Sequence, residues 1–374
     1  MGKIGEKKFI KGMDVSSFLE LEHLGAKFYD KDGDERNLLS ILLEYGTNAV
    51  RLRLWNNPYS PEGEPYGAGT NDMAAALELA RQVRERGMDI LLNLHYSDFW
   101  ADPGKQIKPK LWADFTGRRL ESAVYDYTKA VLQEFQREGL LPDMIQVGNE
   151  LSNGLLWPDG QRPNFENIAL FVSAGIHAVR EIDRDIPVMV HLDNGGNNRL
   201  YREWFDNYFE NDGADFDLIG LSYYPFWHGS LADLEYNMND IAGRYGKELV
   251  VAEVSMGYTM EDYASYEKLE PFQRKGMATR PELVKKIEYP MTKQGQADFM
   301  ADFMKRIRNV KNGLGKGFFY WEPGWIPVPG SGWATEASLK YMKDPGPCGN
   351  EWANQALFDY EGRPLPALDV IQRF

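Results

Sequence analysis

Two glutamates each close a run that reads as a buried strand. Glu150 ends Met144-Ile145-Gln146-Val147-Gly148-Asn149, and Glu253 ends Leu249-Val250-Val251-Ala252. Carboxyls at the ends of two strands suit glycosidic cleavage, where one acid protonates the leaving oxygen and one carboxylate attacks or activates water. Asn149, beside Glu150, could donate its amide to a sugar hydroxyl, but its parity along the strand is opposite. Both therefore reach one pocket only if the strand end is bulged or kinked, which Gly148 eases. Arg51 and Arg53 could hold Glu253 ionised, or one of them could neutralise an acid deeper in the fold. His95 and His191 fit hydrogen bonding to substrate or to the acid. No His-x-His or His-Glu-x-x-His occurs, so no catalytic metal is expected. Trp100, Trp157, Trp227, Trp321 and Trp325 all follow strand-like runs and offer faces for sugar rings, with Trp321 as the floor of the cleavage subsite.

Something must bring these residues together. Strand-like runs cover 9–16, 49–55, 89–97, 144–150, 187–195, 217–225, 248–256 and 316–323, with helical periods between them. Leu120, Val124, Tyr127, Val131 and Phe135 recur at helical steps, as do Phe299, Phe303, Ile307 and Val310. Eight β-α alternations without a composition break predict an α/β fold, a single (β/α)8 TIM barrel over residues 1–374 with long βα loops and a disordered or added N-terminus at 1–8. Side-chain parity agrees. Val50, Leu52 and Leu54 alternate with Arg51, Arg53 and Trp55; Leu92 and Leu94 with Asn93, His95 and Ser97; Val188, Val190 and Leu192 with Met189, His191 and Asp193. The polar face strengthens toward each strand's C-terminal end, where barrel active sites are built. A doubly wound open sheet is the alternative, but no Gly-rich phosphate turn or Walker motif is present. The two glutamates then end strands four and seven, near-opposite across a narrow ring, and a gap of about 5 Å would imply retention of configuration.

Composition narrows the partners. Of 374 residues, 43% are hydrophobic, enough for a large core, and the 13% aromatic share with 10 Trp exceeds what a core alone uses. A formal charge of −14 disfavours nucleic acid and anionic membranes and favours a neutral polymer. Cys348 is the single cysteine, so no intramolecular disulfide forms. No run approaches the roughly 18 apolar residues of a membrane span, and residues 1–8 lack the apolar core of a signal peptide. Either the protein is cytoplasmic or its export signal has been removed. The acidic run Asp30-Lys31-Asp32-Gly33-Asp34 places its Gly too early for a calcium loop, with Ile41 where a bidentate Glu belongs, and is read as a turn.

From about Phe9 to the C-terminus the chain resembles the endo-β-1,4-galactanases of glycoside hydrolase family 53. The likeness rests on Lys11-Gly12-Met13-Asp14-Val15-Ser16, Val50-Arg51-Leu52-Arg53-Leu54-Trp55, and the run from His95-Tyr96-Ser97-Asp98-Phe99-Trp100 to Gln106. It continues in Gly148-Asn149-Glu150, Gly154-Leu155-Leu156-Trp157-Pro158, Ser222-Tyr223-Tyr224-Pro225, Ala252-Glu253 and Phe319-Tyr320-Trp321-Glu322-Pro323. The resemblance implies an extracellular or surface-attached retaining enzyme, monomeric and without a required cofactor, that cuts internal bonds of pectic galactan and type I arabinogalactan. It implies Glu150 as acid/base and Glu253 as nucleophile, with Asn149, Arg51, His95, Asp98, Trp100, Trp157, His191, Asp193, Tyr224, Trp227, Trp321 and Trp325 around the substrate. Many bacterial members of the family carry a calcium cluster after strand seven. Here that loop opens Tyr258-Thr259-Met260-Glu261-Asp262 and lacks the cluster, which puts calcium in doubt. Another β-1,4-glycanase of similar design, such as a mannanase or cellulase, and a non-hydrolytic glycan-binding barrel are the competing readings. A metabolic barrel using phosphorylated substrates is a third, kept open by Gly313-Leu314-Gly315-Lys316-Gly317 before the last strand.

Overall fold

The computed structural model describes residues 9–262 and 278–374. Eight parallel strands close into a barrel in sequence order. We number them β1 (Ile10–Asp14), β2 (Ala49–Leu54), β3 (Asp89–Leu94), β4 (Met144–Val147), β5 (Val188–Leu192), β6 (Leu218–Tyr223), β7 (Glu248–Val254) and β8 (Gly315–Trp321). β8 returns to β1, pairing Asp14 with Trp321, so the barrel itself has no open edge. All eight expected strands are present, each shorter at its C-terminal end than the apolar run suggested. Those last residues have left the ladder to build the mouth.

The expected parity sets the two faces. Inside the barrel, Ile10, Ala49, Leu91, Met144, Met189, Leu218, Val250, Ala252 and Phe319 form one buried apolar cluster. One or two residues further along the same inner face the chain turns polar, at Asp14, Arg51, Asn93, Gln146, His191 and Ser222, all fully buried. A plug of apolar side chains thus floors a polar layer, which keeps water from entering below. Outside, the helices pack their apolar stripes on the strands. The helix Gly117–Arg137 buries Leu120, Val124, Thr128, Val131, Leu132 and Phe135. Thr128, rather than the expected Tyr127, is on the buried face, with its hydroxyl bonded to Val124 O and to Tyr96 OH. The helix Lys293–Arg308 buries Phe299, Phe303 and Ile307, while Val310 falls beyond its end.

Asp30 behaves as a turn residue. Its Oδ1 accepts from the backbone N–H of Asp32 and Asp34. Among the described residues no helix is long and apolar enough to cross a membrane.

Candidate active site

Three backbone irregularities aim the carboxyls. Gly148 has φ +75°, and an added Cβ there would sit 2.7 Å from Leu151 Cδ2. Glu150 itself is left-handed, with φ 49° and ψ 56°. This double kink resolves the parity conflict, because Asn149 and Glu150 both line the cleft at the mouth. On β7 the irregularity is a bulge: Leu221 pairs with Val251 but Ser222 pairs with Glu253, skipping Ala252. Without that extra residue Glu253 would point outward with Val251; with it, Glu253 joins Ser222 on the inner face. Tyr96, Asn194 and Glu322, each just past a barrel strand, also take positive φ. Strained non-glycine backbone clusters at this mouth, as it does at many functional sites.

Beneath Glu253 runs a buried row of alternating charge. Arg51 Nη2 lies 2.9 Å from Glu253 Oε1, and its Nη1 lies 2.9 Å from Asp14 Oδ2. Arg53 lies 3.1 Å from Asp14 Oδ1 and 2.7 Å from Glu322 Oε1. Of the two arginines named from the sequence, only Arg51 reaches Glu253; Arg53 serves Asp14 and Glu322. Arg51 is wholly buried and does not line the cleft, so it acts through Glu253 and Asn149 rather than on substrate. Burial raises the Glu322 carboxyl to about 7 against the pull of Arg53, with Asp14 adding to the rise. Glu253 Oε2 accepts from Tyr224 OH at 2.8 Å. Both oxygens of Glu253 are therefore held by donors.

Glu150 sits in the opposite environment. Burial first, then the nearby Glu253 and Asp193, push its carboxyl well above the usual range, while the hydroxyl of Ser222 pulls it down. A carboxyl that stays protonated near neutrality is a proton donor. An oxygen of Glu150, an oxygen of Glu253 and a nitrogen of His191 all lie within 4.8 Å of one another. The trio contains metal-binding groups. However, both His191 nitrogens and both Glu253 oxygens already take part in hydrogen bonds, which a cation would have to break.

The cleft has a volume of about 390 Å³. His95, Trp100, Asn149, Tyr224 and Trp321 line it as expected from the sequence. His95 Nδ1 accepts from Trp55 Nε1 at 3.1 Å and from Ala101 N at 3.3 Å. Its proton therefore belongs on Nε2, which is buried without a protein partner among the described residues and is free to donate to a ligand. Burial, with Arg51 and Arg53 adding to it, pushes His95 well below its usual range, so it stays neutral. A larger cavity of about 460 Å³, lined by residues such as Phe9, Asn48 and Lys316, opens at the other end of the barrel without a carboxyl pair.

Six expected contacts are placed elsewhere. Trp325 is fully buried, with its indole N–H on Ser331 Oγ, and serves packing. Asp98 is buried and braces Lys110 through its backbone N–H at 2.7 Å. Trp157 lies outside the cleft lining and donates to Asn153 O. His191 is fully buried behind Ser222. Asp193 is half-buried outside the lining, where burial raises it to about 6 and it acts on Glu150 through charge. Trp227 supports the rim by packing on Tyr224 and Trp352.

Six lining residues escaped the sequence reading: Ala101, Asp102, Lys105, Trp333, Glu351 and Trp352. The first three fall in the quoted run after β3. The others sit in the long segment after β8, too far from any strand for strand-end logic to find them. Trp352 packs on Trp321 with centroids 4.7 Å apart and on Tyr224 at 5.3 Å. Trp100 donates its N–H to Trp333 O, closing the aromatic rim.

The sequence profile described as glycosyl hydrolase family 53 matches residues 10–371. The chain belongs to that family. This family 53 chain is 38% identical to the endo-beta-1,4-galactanase of Bacillus subtilis over 98% of its length and 86% of the relative's. It is 31% identical to the arabinogalactan endo-beta-1,4-galactanase of Humicola insolens, covering 97% and 98% of the two chains. The solved catalytic domain of a family 53 hydrolase from Ignisphaera aggregans superposes with a TM-score of 0.88 at 38% identity, over 99% of this chain and 98% of that one. In this family 53 hydrolase the segment doubted for calcium runs beyond Asp262 into residues 263–277, which lie outside the described residues.

Proposed function

We propose that this hydrolase cuts internal β-1,4-galactosidic bonds of pectic galactan and type I arabinogalactan with retention, using Glu253 as nucleophile and Glu150 as acid/base. The observation that carries the assignment is the asymmetry of the pair. One carboxyl is clamped by Arg51 and Tyr224, while burial and its neighbours' charge push the other well above the usual carboxylate range and so favour its protonated form. Their approach within 4.8 Å fits direct attack and leaves too little room for the intervening water of an inverting enzyme.

In the first step Glu150 gives its proton to the glycosidic oxygen as Glu253 attacks C1. The C1–O bond breaks and a galactosyl ester on Glu253 forms. In the second, the Glu150 carboxylate takes a proton from water, the water oxygen bonds to C1, and Glu253 leaves as carboxylate. Both roles are filled by side chains, so no cofactor and no calcium is required for the reaction. The galactanase names of the relatives, the aromatic rim and the acidic charge support a neutral galactan chain as substrate. We further infer a monomer working outside the cell or on its surface, where such polysaccharides are met.

The test measures reducing-end release on galactan, mannan and cellulose, for the native chain and for Glu150→Ala and Glu253→Ala. Galactan should be cut far faster than the others, and each variant should lose orders of magnitude. Azide should restore turnover to Glu253→Ala with inverted product. Near-native activity in either variant would overturn the assignment, and equal rates on mannan would overturn the substrate.

A further inference from the structure

Behind Glu150 lies a chain of three buried groups with no role in the two-step scheme. Ser222 Oγ is 2.6 Å from Glu150 Oε1 and 2.9 Å from His191 Nε2. His191 Nδ1 is 3.0 Å from Gln146 Nε2 and 3.1 Å from Asn149 Oδ1, with the Glu150 backbone N–H pointing at it from 3.4 Å. Ser222, His191 and Gln146 are all fully buried.

The neighbours of His191 assign its tautomer. Gln146 Oε1 accepts from Arg51 Nε at 3.1 Å, so its Nε2 is a donor. Asn149 Oδ1 already accepts from Arg51 at 2.8 Å, from Gln146 at 3.0 Å and from Asn93 at 3.1 Å. Gln146 Nε2 shares its two hydrogens among Gly148 O at 2.9 Å, Asn149 Oδ1 and His191 Nδ1, while the Glu150 backbone N–H also points at Nδ1, and the third neighbour of Nδ1 is a saturated acceptor. Nδ1 must carry the lone pair and Nε2 the proton. Burial and Arg51 keep the ring neutral. Nε2–H therefore donates to Ser222, and the single hydroxyl proton of Ser222 is left for Glu150 Oε1. Glu150 lines the cleft, and its Oε2 has no hydrogen bond among the described residues.

We propose that Gln146, His191 and Ser222 form a one-way donor chain that keeps Glu150 Oε1 an acceptor in both halves of the reaction, so that the travelling proton is carried on Oε2. Ser222 and His191 are positioning residues under this proposal, which rests on Glu150 being the acid/base. The chain has a second effect. A donor on Oε1 favours the carboxylate and so opposes the charge and burial that favour the acid. It keeps Glu150 able to release its proton in the first step and to act as base in the second. The titratable and charged groups facing Glu150 are Glu253 on β7, Asp193 after β5, Asp102 after β3, Tyr224 after β6 and Tyr201 on the helix Asn198–Glu210, with Arg51 behind Asn149. Lys105 at the same rim pairs with Asp102. The Ser222 chain is removable without changing a charge, and it is the part of this surround that bonds Glu150 directly.

The experiment follows kcat/KM on galactan against pH for the native enzyme, Ser222→Ala, Ser222→Thr and His191→Ala. The alkaline limb reports the acid in the free enzyme. Ser222→Ala should move that limb upward by about one pH unit, the size expected for losing a hydrogen bond to a charged group. Ser222→Thr, which keeps the hydroxyl, should restore it, and His191→Ala should shift it in the same direction by less. A Ser222→Ala enzyme that loses activity at every pH with its limb unmoved would overturn the proposal. If Ser222→Ala fails to fold, the Ser222→Thr and His191→Ala pair carries the test, and equal limbs for native and His191→Ala would refute it. Glu150→Gln separates the two levels: near-native activity there sinks the acid/base reading, whereas a dead Glu150→Gln with an unmoved Ser222→Ala limb sinks only the donor chain.

Discussion

Glu322 is a buried carboxyl that the reaction does not use, and it should write its own signature into stability. Its pKa rises from 4.5 to about 7, chiefly because burial penalises the charged form. Between those two values the native state holds a proton that the unfolded chain has lost, so stability must fall as pH rises through this window. The full difference, at 1.36 kcal/mol per unit, is about 3 kcal/mol. Glu322→Gln removes the titration but also weakens contacts to Arg53 and Ser17, a cost that is the same at every pH once the glutamine is in place. The informative quantity is therefore a double difference. Unfolding free energies from urea titration would be measured at pH 4.5 and pH 8 for both proteins. On moving to pH 8 the native chain should lose about 3 kcal/mol more than the variant. Other buried acids such as Glu20, also raised to about 7 by burial, cancel in the comparison because both proteins keep them. Parallel stability curves would refute the picture of a carboxyl whose burial outweighs its arginine partner.

Three further outcomes are expected. Tyr224→Phe removes the 2.8 Å hydrogen bond to Glu253 and should lower kcat/KM on galactan roughly 10- to 100-fold, with thermal unfolding showing little change. Trp352→Ala should weaken binding of oligosaccharide by roughly tenfold in calorimetry while kcat changes less, since the ring packs on Trp321 and Tyr224 at the rim as an apolar face for sugar. Gly148→Ala meets Leu151 at 2.7 Å in a left-handed backbone, so it should cost about 1–3 kcal/mol in denaturant unfolding and depress activity by displacing Glu150.

The barrel was legible because eight apolar runs alternate with helical periods, and because the polar members of β2, β3 and β5 share one parity. The same parity rule points Glu253 outward. Only the bulge that pairs Ser222 with Glu253 turns it in, and a bulge leaves no mark in a run such as Leu249-Val250-Val251-Ala252. Glu150 and Asn149 were readable as a pair because Gly148 announces the kink. The tryptophans divide for a similar reason. Trp321 is on the inner face of β8 and meets the cleft, whereas Trp325, four residues on, is buried in the loop it anchors. Trp333 and Trp352 reach the cleft through a long segment whose path sequence spacing does not set. Which arginine serves Glu253 and which a deeper acid stayed open in the sequence because Asp14 and Glu322, the partners of Arg53, come from the two strand ends farthest apart in the chain.

The central claim is that Glu253 becomes covalently bonded to galactose. It is tested most directly by incubating the enzyme with a 2-deoxy-2-fluoro-β-galactobioside bearing a good leaving group, then digesting and sequencing the chain by mass spectrometry. The account predicts one adduct of the fluorinated disaccharide, on the peptide containing Glu253 and on that residue. An adduct on Glu150 or another residue, or leaving-group release without any adduct, would contradict it.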